Sequence, residues 1–250
     1  MPASFYKVWA IGPPVDNGFM APITIGVAGI AKRACPAWPF AVVNELICSC
    51  LSRAIILPGP PGFIIANDNV PHYVSMDFNL AGQQLPPVDP ELLIELQPSF
   101  AAGVITFDIW VLNDDRHEEN LSHFVSAQKV QAFDHAHCFF NGTNRNAAHQ
   151  YLEDNRGALG INGHCLLPFF DRIDLMLDWI NRIERVPDFY IDEVVKSTVA
   201  LGLPETEVGY CSEYLRHRRD ALRGLITQNR ASFPRTQTHL FDQVLGGKRP

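Results

Sequence analysis

The segment FDIWVLNDDRHEENLSHFVSAQKVQAFDHAHCFF, residues 107–140, sets two short polar clusters in an otherwise apolar run. In the first, Asp115 and Asn120 stand five residues apart in DRHEEN. That spacing lets one turn of backbone present a carboxylate base and a side-chain amide together. In the second, Asp134 follows Lys129-Val130-Gln131-Ala132-Phe133, whose alternation reads as a short strand. An aspartate at the end of a strand is held rigidly enough to bind Mg²⁺. Leu121 to Val125 reads as a further strand, so the expected layout is loop, hairpin, then aspartate at the hairpin's end. Taken alone, DRH fits a solvated acidic loop better than a site, because Asp114, Asp115, Glu118, Glu119 and Asp134 all lie close together. The hairpin that returns the second cluster to the first favours a single metal-centred site.

Such a site suits phosphoryl transfer. A kinase catalytic loop uses an aspartate and an asparagine at this spacing, with a second aspartate on the metal. DDRHEEN followed by AFDHAHCFF resembles the DRHxxN…IDxGxxF signature of the HipA-like kinases, relatives of the protein kinases and the phosphatidylinositol kinases. FDIWVLN resembles the helix that introduces this loop, and weaker similarity extends back to about Gly12. The resemblance implies ATP and Mg²⁺ as cofactors. It makes Asp115 the residue that orients or deprotonates the acceptor hydroxyl, with Asn120 and Asp134 as metal ligands. Arg116 and His117 would shape the loop and face the phosphates, while Asp108 and Asn113 would brace it. The glycine expected two places after the metal aspartate is Ala136, which suits the turn unless a positive φ is needed there.

Hydrophobic residues make up 47% of the 250-residue chain and charged residues 19%, the balance of a globular protein with a core. A net charge of −7 argues against a broad nucleic-acid or anionic-membrane surface. No apolar run reaches the roughly 18 residues that cross a bilayer, and the amino terminus lacks the pattern of a signal peptide. The six cysteines have no zinc-finger spacing. Buried thiols in a reduced, cytoplasmic protein are the expectation.

Phe5 to Ile11 and Ile23 to Ala31 read as strands joined by turns, with GPPVDNG between them in place of a G-x-G-x-x-G loop. Lys32, at the end of ITIGVAGIAK, is the candidate strand lysine for the α and β phosphates, though a surface lysine would look the same. Pro36 to Leu57 reads as a helix, with Glu45 on an apolar face where a carboxylate needs a partner. By resemblance that partner is Lys32. Strands at Phe63 to Ala66 and His72 to Phe78 follow, and Met76 to Phe78 is the expected hinge against the adenine. Asp89 caps a helix from Pro90, and Ser99 to Leu112 forms the apolar helix before the loop. Past Pro168, three amphipathic helices are expected. The last carries Arg216, Arg218, Arg219 and Arg223 on what reads as a solvated face set against local acids, with phosphate or RNA binding as the alternative.

The expected fold is α+β and two-lobed like a protein kinase: a small β-rich lobe over residues 1–78 and a larger, mainly helical lobe over 79–250. The resemblance implies a serine or threonine of a protein as acceptor and an antitoxin-like partner. A lipid or small-molecule kinase is the first alternative. A pseudokinase acting as a nucleotide- or partner-binding module is the second.

Overall fold

Short β-prone runs broken by turn formers make up the amino-terminal third of the chain. The computed structural model describes residues 8–15, 22–78, 86–125, 128–143 and 145–246. Strands β1 (Val8–Pro14) and β2 (Ile23–Val27) pair as an antiparallel hairpin, with Ile11 opposite Ile25. The connecting residues 16–18 of the glycine-bearing segment, and residues 5–7 of the first expected strand, lie outside the described residues. Strands β3 (Gly29–Arg33), β4 (Gly62–Asn67) and β5 (Val70–Met76) form a separate antiparallel sheet in the order β3-β5-β4. Asp68 and Asn69 turn β4 into β5 with positive φ at both positions, the conformation a two-residue hairpin loop demands. Ile23 to Ala31, expected as one strand, therefore divides at Ala28. The Ala28 carbonyl accepts from the Asp77 amide at 2.9 Å, which ends one ladder where the next begins.

Helix α1 occupies Ala41–Ala54 and starts five residues later than the sequence pattern suggests. Pro39 disfavours helical backbone at the residue before it, and Cys35 and Trp38 pair instead as an isolated bridge. The apolar face of α1 packs on the sheet and on the aromatic run after Asp134, where Phe40 stacks on Phe140 at 4.4 Å.

The remainder is mostly helical. Helix α2 (Pro90–Leu96) is capped by the Asp89 carboxylate, which accepts from the amides of Glu91 and Leu92. Helix α3 (Pro98–Val111) is buried on nearly all sides, as its uniform apolarity requires. Gly103 lets the Trp179 ring lie against the α3 backbone, since a Cβ there would come within 2.5 Å of it. Strands β6 (Leu121–Phe124) and β7 (Lys129–Ala132) form the hairpin expected from the sequence. Then follow α4 (Ala148–Asp154), α5 (Ile173–Glu184), α6 (Asp188–Lys196), α7 (Glu205–Gln228) and α8 (Thr238–Val244).

Three of the four α7 arginines are set against local acids as expected, and Arg218 is not. Arg216, Arg219 and Arg223 meet acids, namely Asp192, Asp188 with Asp220, and Glu184. Arg218 is fully buried and donates to five backbone carbonyls: Trp110 at 3.0 Å, Ala158 at 2.7 Å, Arg156 at 3.1 Å, Asn155 at 3.3 Å, and Ile109. It thus ties the end of α3 to the loop after α4. No phosphate or RNA can reach it. Replacing it with methionine would strand several carbonyls in the core, each costly to leave unpaired. Arg218→Met is expected to lower the unfolding free energy by about 3 kcal/mol or more in a urea titration.

Candidate active site

Helix α3 ends at Leu112, which adopts the left-handed conformation (φ 52°) and turns the chain into the DRH loop. The loop is keyed to the helix by Asp108. This carboxylate is fully buried and accepts from Arg116 Nε at 2.8 Å, Arg116 Nη2 at 3.0 Å, Asn113 Nδ2 at 2.9 Å and His164 Nε2 at 3.2 Å. His164 Nδ1 accepts from the Leu166 amide, which leaves Nε2 as the donating nitrogen. Burial alone would raise the Asp108 pKa, but Arg116 and His164 outweigh it and hold the carboxyl well below the usual range. Arg116 also donates from Nη1 to the carbonyls of Asn120 at 2.9 Å and Phe133 at 2.7 Å. One guanidinium therefore fixes the end of α3, the DRH loop and the residue preceding Asp134 relative to one another. Its burial corrects the expectation that Arg116 faces phosphates: it braces the site from behind. His117 is half-buried and contributes its carbonyl to the Asn120 amide at 3.0 Å, closing the short 3₁₀ turn Glu118–Asn120.

Asp115 and Asn120 are adjacent, with Asn120 Nδ2 donating to the Asp115 carbonyl at 3.0 Å. That bond turns the Asn120 side-chain oxygen into the atom available for a cation. The Asp115 carboxylate is half-exposed and lies 3.8 Å from His137 Nδ1. Asp134 sits in the left-handed region at φ 59°, whereas Ala136 does not have positive φ. The strained residue of this turn is the aspartate itself, so alanine replaces glycine two places later without backbone cost.

Lys32 joins the two halves of the site. Its Nζ lies 2.6 Å from Glu45 Oε1 and 2.6 Å from Asp134 Oδ1. Burial disfavours the charged lysine, but the two carboxylates raise its pKa overall. Burial, the largest single effect, would raise the Asp134 pKa, but Lys32 together with His135 and the Ala136 amide outweighs it and holds the carboxyl below its ordinary value. Glu45 is pushed up by burial, against the pull of Lys32 and of the His135 amide, which donates to it. Asn44 was not picked out from sequence as a site residue. Its Nδ2 donates to the carbonyls of Ala136 at 2.8 Å and Cys138 at 2.9 Å, pinning the loop after Asp134 to α1. A buried asparagine beside Glu45 on an apolar helix face was the available signal.

A cavity of about 800 Å³ opens between the sheet, α1 and the β6–β7 hairpin. Lys32, Glu45, Met76, Phe78 and Asp134 lie on its wall, while Asp115, Arg116, His117 and Asn120 do not. Ile30, Pro87, Leu121 and Phe133 add an apolar slot beside Met76 and Phe78, a size and lining that suit a small organic ligand. The amides of Met76 and Asp77 are already taken, donating to Pro61 and Ala28 carbonyls at 2.9 Å each. Neither amide is therefore available as a donor to the cavity, and residues 79–85 lie outside the described ones. For a divalent cation, Asn120 and Asp134 offer only hard oxygen donors, and few of them. That set fits Mg²⁺, which keeps waters and phosphate oxygens in its shell. No cluster of three or more His, Cys, Asp or Glu side chains fit to hold a metal is present among the described residues.

The folded Asp108 carboxyl has a lower pKa than an unfolded aspartate, so its contribution is complete above about pH 4 and fades as pH falls through the folded value. Asp108→Asn is expected to destabilise the protein by about 3–5 kcal/mol at pH 7. In denaturant titrations the gap from wild type should narrow below about pH 4.

No protein-family model matches the chain, and no curated protein matches it. Among solved structures, the fold is similar to that of the Helicobacter pylori proinflammatory kinase CtkA. The TM-score is 0.53 at 14% identity, over 82% of this chain and 90% of that one. A chain of the Shewanella oneidensis MR-1 toxin–antitoxin complex of HipA, HipB and operator DNA aligns at a TM-score of 0.48 and 15% identity. That alignment covers 100% of this chain and 67% of the other. The likeness to CtkA, together with the sheets and helices described above, shows that the chain has the α+β, two-lobed, protein-kinase-like fold.

Proposed function

We propose that this chain is an ATP-dependent kinase of the HipA-like type that transfers the γ-phosphoryl group to a hydroxyl. The observation that carries the reading is Lys32, held 2.6 Å from both Glu45 and Asp134 on the wall of a nucleotide-sized cavity. A lysine so placed supplies a point charge to the α and β phosphates, and Glu45 keeps it directed there. Met76 and Phe78 flank the base. Asn120 and Asp134 would hold Mg²⁺, which supplies charge neutralisation on the transferring phosphoryl group. Asp115, the half-exposed carboxylate on the neighbouring loop, orients the acceptor hydroxyl and takes its proton as the oxygen attacks phosphorus in line. Arg116 and His117 hold that loop in shape. Positioning accounts for most of the acceleration, because this chemistry demands little covalent work of the protein.

The lobe boundary in this reading falls between residues 78 and 79. The acceptor is a serine or threonine of a protein, supported by the resemblance of the two motifs and by the acidic overall charge, which disfavours an anionic lipid surface. An antitoxin-like protein partner rests on the same motif resemblance. No single helix among the described residues is long and apolar enough to cross a membrane. The cysteines are unpaired thiols, which suits a reducing cytoplasmic setting.

Thermal unfolding with Mg-ATP and a transfer assay with γ-labelled ATP test this reading. At a hundred times its dissociation constant the nucleotide should stabilise the fold by about 2.7 kcal/mol, and Asp134→Ala should abolish the Mg²⁺-dependent part. Asp115→Asn should keep the thermal shift but lower transfer about 10²–10⁴-fold. Transfer to phosphatidylinositol vesicles rather than proteins would select the lipid alternative. A shift without any transfer would leave a nucleotide-binding pseudokinase. No shift would overturn the nucleotide site.

A further inference from the structure

The Asp115 carboxylate has a neighbour that the proposed reaction leaves without a role. His137 Nδ1 faces Asp115 Oδ2 at 3.8 Å, too far for a hydrogen bond in the resting protein. Contacts at a catalytic base are often this long before substrate closes the site. Both side chains are partly open to solvent, so the contact does not belong to the core. Asp114, the adjacent acid, has a different donor: Asn141 Nδ2 donates to its Oδ2 at 3.2 Å and to its Oδ1 at 3.4 Å. The short segment after Asp134 thus offers one polar side chain to each of two neighbouring carboxylates.

That segment is anchored in the core and covered by an indole. The Phe139 amide donates to the Val111 carbonyl at 2.9 Å, and the Phe139 and Phe140 rings are fully buried. The Trp38 ring packs on His137 with centroids 3.9 Å apart and planes tilted by 43°. It also crosses Gly142, where a Cβ would come within 2.8 Å of it. Asn141 Oδ1 accepts from the Gly142 amide at 2.7 Å, which holds the backbone that this close approach requires. Trp38 is itself held in a tight turn. Its amide donates to the Cys35 carbonyl at 3.0 Å, and its carbonyl accepts from the Ala41 amide, at the start of α1, at 3.3 Å. Helix α1 carries Glu45, so the indole joins the Lys32 side of the site to the loop bearing Asp115. An imidazole packed on a fixed indole keeps few rotamers, and its Nδ1 stays on the carboxylate.

We propose that Trp38 and His137 are positioning residues for Asp115: the indole holds the imidazole, and the imidazole Nδ1 holds Oδ2, which leaves Oδ1 for the acceptor hydroxyl. The proposal rests on the kinase reading, in which Asp115 receives the acceptor's proton.

The test is turnover of the full chain at saturating Mg-ATP, using γ-labelled ATP. Casein is the protein acceptor, and ATP hydrolysis, in which water is the acceptor, is followed in parallel. His137→Leu removes the nitrogen and Trp38→Ala removes the indole. Each is expected to lower kcat about tenfold or more with the KM for ATP unchanged. Trp38→Phe keeps an aromatic face, and His137→Asn puts an amide nitrogen near the Nδ1 position. Both should recover most of that loss. In an Asp115→Asn background the truncations should cost nothing further, because they act through that carboxylate, whereas a merely structural role would lower both backgrounds alike. Thermal midpoints identify the folded variants, and where one truncation unfolds the chain the other decides. Unchanged kcat in a folded truncation, or an equal loss in the Asp115→Asn background, overturns the proposal while wild-type turnover keeps the kinase reading. A wild type that binds Mg-ATP but turns over neither acceptor overturns the proposal and the active kinase together.

Discussion

The buried pair between Asp108 and Arg116 governs the geometry of the whole cleft. An ion pair of this kind is a poor source of stability, since removing two charges from water costs about as much as their attraction returns. Its value here is positional. The carboxylate belongs to α3, the most buried helix, and the guanidinium belongs to the loop that follows. The remaining donors of Arg116 run on to the carbonyls of Asn120 and Phe133. A planar fork with fixed angles therefore sets the distance between the loop bearing Asp115 and the strand end bearing Asp134. Lysine, a single point charge, could not hold three segments at once.

A second set of polar contacts joins this rigid half to the sheet. Lys32 on β3 reaches Glu45 on α1 and Asp134 on the helical side, while Asn44, one residue earlier on α1, bonds the backbone just after Asp134. The two adjacent α1 residues thus hold the same loop by charge and by amide. Glu45 and Asn44 are both buried, so neither can be lost without leaving an unmade bond in the interior. The cavity wall around Lys32 is built from the sheet, α1 and the aspartate turn.

The positive φ at Asp134 shows how local strain can be located wrongly from a motif. A glycine two places on suggests that the turn needs conformational freedom there. The chain instead places the left-handed residue at the aspartate, where the Lys32 contact and the Ala136 amide hold the side chain. The arginine-rich face of α7 is a similar case. Three of its members meet acids as expected of such a run, but Arg218 turns inward, where five carbonyls at the end of α3 and after α4 need a donor.

Sequence alone determined those features whose cause is local. The β6–β7 hairpin, the capped start of α2, the uniformly apolar α3 and the amphipathic α5 to α7 follow from periodicity and capping, which neighbouring residues settle among themselves. The spacing of Asp115, Asn120 and Asp134 was legible for the same reason, as was a buried glutamate in want of a cation. Tertiary structure decided what depends on partners distant in the chain. It made Arg116 a buried brace, split the second strand at Ala28, tied the Met76 amide to the Pro61 carbonyl, and buried Arg218. In each case a hydrogen-bonding group took the partner that folding placed beside it. Residue type and spacing state that such a group must be satisfied, but only the packed chain selects by what.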